Sequence, residues 1–245
     1  MNKLIIIDIL HIRYQKVNTF FAGDKMNLKG NKINRVSMRN NAYEIIKDAI
    51  ISGELKPEMK IKDKELSEQL GISRTPIREA MLRLEDEGFI VSKPNSFTMV
   101  APINITEVKE TYSIVIALES LALQEAFIHT TPSQLKQLAE INNLYKSAIE
   151  EGNAKKCLQY DIEFHGHIVR MSKNKELEKL LTKLKEKIIR IESFYFHNAI
   201  PKQKSINEHD MIIDGLENKK YKEEAVDTLK NNWLNSLKNI LSEDK

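Results

Sequence analysis

Residues 64–88 constrain the fold of this chain more than any other stretch. In Lys64-Glu65-Leu66-Ser67-Glu68-Gln69-Leu70 the two leucines stand four apart, one apolar stripe of a short helix, and Gly71 supplies the left-handed residue that ends it. Ser73 and Thr75 can each cap the helix that follows. Pro76 in its first turn costs little, because the first amides of a helix have no intrahelical acceptor. Beyond it Ile77, Ala80, Met81 and Leu84 share one face, while Arg74 and Arg78, one turn apart, share another. Two helices joined by so short a turn, the second with one side to bury and two guanidinium groups at its N-terminal end, read as a helix-turn-helix. The second helix of such a motif meets base edges and phosphates in the major groove of DNA.

Arg-x-x-x-Arg on an isolated helix is more often a solvated face than a DNA contact, so the flanks matter. Upstream, Ala42, Ile45, Ile46, Ala49 and Ile50 form an amphipathic helix that stops at Gly53. Downstream, Phe89-Ile90-Val91-Ser92 and Phe97-Thr98-Met99-Val100 read as short strands around Lys93-Pro94-Asn95-Ser96. Three helices followed by a hairpin make a winged helix.

With Leu55-Lys56-Pro57, Glu65 through Met81, Arg83-Leu84-Glu85 and Glu87-Gly88-Phe89-Ile90 in place, residues 41–102 resemble the winged-helix domain of the GntR family of bacterial transcription regulators. The resemblance implies that Arg74 and Arg78 are the principal DNA-contacting side chains, with Ser73 and Thr75 on phosphates. Lys64 stands where the family often has a further DNA-contacting arginine. The wing departs from the family pattern, having Asn95-Ser96-Phe97 where Arg-Gly-Phe is common.

Charge is divided in the same sense. The chain carries a formal +3, with 17 Lys and Arg against 13 Asp and Glu in residues 1–103, and 21 against 22 in the remainder. The basic half is the DNA half. A hydrophobic fraction of 41% with 30% charged residues suits a globular protein, and 245 residues allow two domains with real cores. Cys157 is the single cysteine, which excludes an intrachain disulfide. Leu4-Ile5-Ile6-Ile7-Asp8-Ile9-Leu10 is apolar but broken by Asp8 and too short to span a membrane. Residues 1–37 read as an N-terminal extension, and Met26 and Met38 both offer later starts.

From Asn104 onward the pattern is helical. Thr106 and Thr131-Pro132 look like starts, while Gly152-Asn153, Asn174 and Pro201 interrupt, which predicts helices over about 105–128, 132–150, 154–172, 175–199, 202–217 and 220–242. No Gly-rich phosphate loop, cysteine pair or nucleophile elbow is present. One constellation carries chemistry. Asp161 and His165, four apart, share a helix face, while His167 points elsewhere. Such a pair can give two ligands to a divalent ion if other helices give the rest, with His209 the best third, and the same spacing serves a structural Asp–His hydrogen bond.

Asp161-x-x-Phe164-His165, Glu208-His209-x-x-Ile212 with Gly215-Leu216, and Ala225 leading into a last helix resemble the all-helical ligand-binding FCD domain of FadR-type GntR regulators. The resemblance covers about residues 104–242, and six helices place it with the VanR-like subgroup. In many such domains an Asp and three His hold zinc, nickel or a similar ion beside a small carboxylate effector. Asp161, His165 and His209 match three of these ligands, and Asn232 stands where the last histidine is common. An amide oxygen suits hard ions better than zinc. A second departure is Ile116, where many members have an arginine three residues before the glutamate matching Glu119.

The other conspicuous residues read plainly. Lys173, Lys175, Lys179, Lys183, Lys185 and Lys187 mix with glutamates as a solvated face, Trp233 as a packing residue, Cys157 as a buried inert thiol, and Phe194-Tyr195-Phe196-His197 as packing with Tyr195 or His197 at a pocket edge. The expected protein is mainly α: an extension over 1–37, a winged helix-turn-helix with a small β-hairpin wing over 38–103, and a bundle of about six helices over 104–245 that binds an effector and dimerises. A cytoplasmic homodimer with no membrane partner, binding double-stranded operator DNA under control of a small-molecule effector and repressing rather than activating, is the expected function. Two such domains a helical turn apart sum their contacts on a palindrome. The competing classes are a metal-dependent enzyme using Asp161, His165 and His209 at an open coordination position, and a sensor acting only through protein contacts.

Overall fold

The computed structural model describes residues 35–93, 96–195 and 203–243. The extension expected at the N-terminus lies outside them up to Asn34, as do Asn95 of the wing and His197.

The first helix, α1 (Arg35–Ile51), buries Ala42, Tyr43, Ile46 and Ile50, a stripe at three- and four-residue spacing. Next, α2 (Asp63–Leu70) ends on Gly71 at φ +64°, the left-handed cap that the sequence requires. The Ser67 hydroxyl then donates to the Ile72 carbonyl at 2.7 Å and ties the turn together. Helix α3 (Arg74–Asp86) follows with Pro76, Ile77, Ala80, Met81 and Leu84 buried. Ser73 takes the cap position, but its side chain makes no cap hydrogen bond.

Strands β1 (Ile90–Lys93) and β2 (Phe97–Val100) pair antiparallel in the register Ile90 with Val100 and Lys93 with Phe97. Sequence periodicity missed what covers the outer edge of β2. The Ile61 amide donates to the Thr98 carbonyl at 2.9 Å, and the Val100 amide to the Met59 carbonyl at 2.9 Å, so residues 58–61 act as a third, short pairing segment. Those bonds satisfy an edge that would otherwise expose its polar groups.

The helical part comprises α4 (Ile105–His129), α5 (Pro132–Glu150), α6 (Ala154–Met171), α7 (Lys175–Tyr195), α8 (Gln203–Asn218) and α9 (Lys222–Glu243). Its starts are chemically explicit. Asn104, two residues before the expected Thr106, caps α4 by accepting from the Thr106 amide, and Thr131 with Gln134 forms a complete capping box behind Pro132. Among the described residues there are two large apolar clusters. One joins α1, α2, α3 and the hairpin; the other joins α4, α5, α6, α7, α8 and α9, with Tyr112, Leu123, Phe164 and Ile168 fully buried.

Gly215 explains its own place in the sequence pattern. A Cβ there would stand 2.5 Å from the Ala225 Cβ, so α8 and α9 approach more closely than any larger residue allows. Helix α4 is long and apolar enough to cross a membrane by length and composition, yet it is a core helix that buries Glu119 and Tyr112. Its other face carries a different apolar stripe: Ile114, Leu121 and Ile128 are exposed at seven-residue spacing.

Candidate functional site

Two sites emerge, one at each end of the fold. The first is a groove of about 700 Å³ between α2, the N-terminal end of α3 and the hairpin. Lys64, Arg74 and Arg78, all singled out from sequence, line it, together with Lys60, Lys62 and Lys93, which were not. A signal for the first two of these existed. Extended backbone alternates its side chains, and in Lys60-Ile61-Lys62 the isoleucine is the buried member. Ser73 and Thr75 are exposed beside Arg74 at the helix start. Two carboxylates, Asp63 and Glu85, also line the groove, and Asp63 is the one that engages the arginines. Asp63 accepts from Arg74 Nη2 at 2.8 Å and Nε at 3.2 Å, and from Arg78 Nε. The hydrogen bond from Arg74 and the charge of both arginines hold the Asp63 carboxyl below its usual range, against the opposing effect of burial.

The second site lies inside the helical part. Helix α6 brings Asp161 and His165, and α8 brings His209, so that one donor atom of each lies within 4.8 Å of the others. Both imidazoles are buried, at 1% and 0% exposure. His165 donates Nδ1–H to Glu119 Oε2 at 2.8 Å, since a carboxylate can only accept. His209 donates Nδ1–H to Asn142 Oδ1 at 3.1 Å, and that amide is itself oriented by donating Nδ2–H to Asp210 at 2.8 Å. In the neutral form of each ring the outward nitrogen is therefore Nε2 with its lone pair. Among the described residues neither Nε2 has a hydrogen-bond partner, and His209 Nε2 stands 3.4 Å from Asp161 Oδ1. Burial lowers the pKa of His209. Burial also opposes charge on His165 and Asp161, but Glu119 and Asp161 together raise His165, and His209 and His165 together hold the Asp161 carboxyl down.

A supporting layer fixes this geometry. Glu119 also accepts from the Trp233 indole at 2.7 Å and pairs with Lys185 Nζ at 2.5 Å; Lys185 and His165 keep its carboxyl down at about 2 despite complete burial. Phe164 stacks on His209 at 3.8 Å between centroids. Two expectations are corrected here. Lys185 is not on a solvated face: it follows Leu181 by four residues and precedes Ile188 by three, which puts it on the buried stripe of α7. Trp233 is more than packing, because its indole N–H holds the carboxylate that orients His165. Asn232 is buried and donates Nδ2–H to Glu208 Oε2 at 2.9 Å, which turns its carbonyl oxygen away from that carboxylate. Ile116 packs against the apolar cluster. Cys157 is buried, where apolar surroundings push its thiol up to about 11.

Helix α7 links the layer that supports the second site to the winged-helix part. Lys185 reaches Glu119, and its neighbour Glu186 pairs with Lys47 of α1 at 2.7 Å. Lys47 in turn donates to Tyr43 at 2.7 Å, and Tyr43 donates to Glu87 at 2.6 Å. One turn further along, Arg190 donates to the Ala101 carbonyl at the end of the hairpin.

A winged helix with a basic groove, joined to a helical bundle with a buried Asp–His–His cluster, defines a DNA-binding regulator with an appended sensing domain. Residues 38–100 match the family described as bacterial regulatory proteins, gntR family, and residues 110–232 match the FCD domain. The chain belongs to the GntR family of transcription regulators, in the branch that carries an FCD effector-binding domain. It is 28% identical over 210 residues to the HTH-type transcriptional regulator YdhC of Bacillus subtilis (strain 168), covering 83% of this chain and 92% of that one. It is 25% identical over 175 residues to the HTH-type transcriptional repressor RspR of Escherichia coli (strain K12), covering 71% of this chain and 77% of that one. Its fold is that of E. coli McbR/YncC, with a TM-score of 0.73 at 23% identity over 85% of this chain and 99% of that structure.

Proposed function

We propose that this DNA-binding regulator is a homodimeric repressor that reads its operator with Lys64, Ser73, Arg74, Thr75 and Arg78 and holds a divalent metal ion on Asp161, His165 and His209. The observation that carries the metal is the pair of buried Nε2 atoms beside Asp161, each with its Nδ1–H already committed and each without a hydrogen-bond partner among the described residues. Buried nitrogen lone pairs beside a carboxylate are costly unless a cation satisfies them. The donor set fits such an ion, and the Glu119–His165 bond is the carboxylate–histidine arrangement that orients metal ligands. An ion there would offer an open position to a small carboxylate effector. Asn232 would complete the set through its carbonyl oxygen, which favours nickel or harder ions over zinc. His165→Ala should weaken zinc or nickel binding by about 100-fold or more, above the range that loss of a supporting hydrogen bond costs. Competition with a chromogenic chelator measures this, and unchanged affinity would remove His165 from the site.

The division at about residue 103 into a DNA-reading part and a sensing part follows the two apolar clusters, and α7 is the element through which an effector would shift one relative to the other. Repression is supported by the default effect of a dimer seated on promoter DNA and by the name of the relative RspR. A regulator of this kind works in the cytoplasm, and no catalytic role is assigned to the cluster. The dimer contact is assigned to the exposed face of α4, since an apolar stripe rimmed by polar residues marks a protein interface. Leu121→Glu should turn the dimer into a monomer in light scattering; a dimer of unchanged stability would place the contact elsewhere.

A further inference from the structure

The recognition arginines are not presented as two independent cations. Asp63, the first residue of α2, sits between them and engages both. Its side chain is only 18% exposed, while Arg74 and Arg78 are 51% and 62% exposed, so the carboxylate lies beneath the two guanidinium groups rather than among solvated charges. The contacts are directional. Arg74 gives Asp63 its side edge, Nε and Nη2, and Arg78 gives only Nε. A guanidinium held along its side keeps its end edge, the Nη1–Nη2 pair, turned away from the carboxylate.

We infer that Asp63 is a positioning residue that sets the sequence discrimination of the DNA-reading face. Two consequences follow from the geometry. The carboxylate removes rotamer freedom from two long side chains before DNA arrives, so each guanidinium meets a base edge in one orientation. It also reduces the local charge from two cations to a net of one and places an anion near the DNA backbone, which weakens docking on phosphates alone. The negative group thus weakens binding to phosphates on every sequence, while the fixed orientation of the forks sets the ratio, because only sites that offer acceptors in that orientation gain the base contacts. Asp63 contacts no base in this scheme; it acts through Arg74 and Arg78.

The inference rests on α3 being the reading helix, and the experiment separates the two. The probes are a duplex selected by the wild-type protein from a random-sequence library and a scrambled duplex of equal length, titrated across a salt series. Asp63→Asn should raise affinity for the scrambled duplex, steepen its salt dependence, and lower the ratio of selected to scrambled affinity by about tenfold or more. Asp63→Glu, which keeps the charge, should retain most of the ratio. Asp63→Ser repeats the test with a different side chain should the Asn variant fail to fold. A ratio within about twofold of wild type in the folded Asn or Ser variant would overturn the inference, whether both affinities rise, fall or stay. Arg74→Ala without effect on the selected duplex would instead overturn the reading helix itself.

Discussion

Replacing both recognition arginines, Arg74→Ala with Arg78→Ala, is expected to abolish sequence-selective DNA binding while leaving the fold intact. Each side chain, if it makes a bidentate contact to a base, is worth about 1–3 kcal/mol of discrimination, so the pair accounts for a loss between about 30-fold and about 20,000-fold in operator affinity. The fold survives because both side chains are more than half exposed and their removal disturbs no apolar contact: Ile77, Ala80, Met81 and Leu84 on the opposite face of α3 keep the helix docked. Removing them also frees the Asp63 carboxylate in the groove, which adds repulsion toward phosphate. Fluorescence anisotropy on the selected duplex gives the affinities, and circular dichroism checks the fold. Single variants should each fall part of the way. Wild-type affinity in the double variant would mean that another surface reads the DNA.

A second large effect belongs to the interior. Lys185→Met is expected to destabilise the protein by about 3–5 kcal/mol, because it leaves the buried Glu119 carboxylate without the cation opposite it. Glu119 is completely buried and keeps only the His165 and Trp233 donors once Lys185 is gone. The methionine itself fits the stripe of α7, being close in length and apolar, so the loss comes from charge rather than from a cavity. The double variant Glu119→Gln with Lys185→Met should recover much of the stability, since the buried charge leaves with its partner. Denaturant unfolding of the four proteins closes the cycle. A Lys185→Met protein as stable as wild type would mean that the pair contributes nothing to folding.

These interior residues also mark how far sequence reaches. Gly71, Thr131 with Pro132, and Gly152 announced helix ends because capping chemistry is local, and each end falls where those residues put it. Asp161 and His165 could be paired by their spacing alone, since four residues make one helical turn. What pairs with them could not. Glu119 is 46 residues from His165, and Trp233 is 114 residues from Glu119, so only the packing of α4, α6 and α9 brings them together. Lys185 was hidden for another reason: it is one lysine among five on a charged helix, and its burial depends on which of them falls in phase with Leu181 and Ile188. Asp63 was hidden by its neighbours, because an acid between Lys62 and Lys64 looks like an ordinary surface charge until α3 folds back over it.

The central claim, that a GntR-type regulator carries a metal centre on Asp161, His165 and His209, is tested most directly by native mass spectrometry of the full chain after incubation with zinc or nickel and removal of unbound ions. The wild-type protein should carry one divalent ion per chain, and the variant with both His165→Ala and His209→Ala should carry none. An ion-free wild-type protein under both metals, or the same ion count in the double variant, would contradict it.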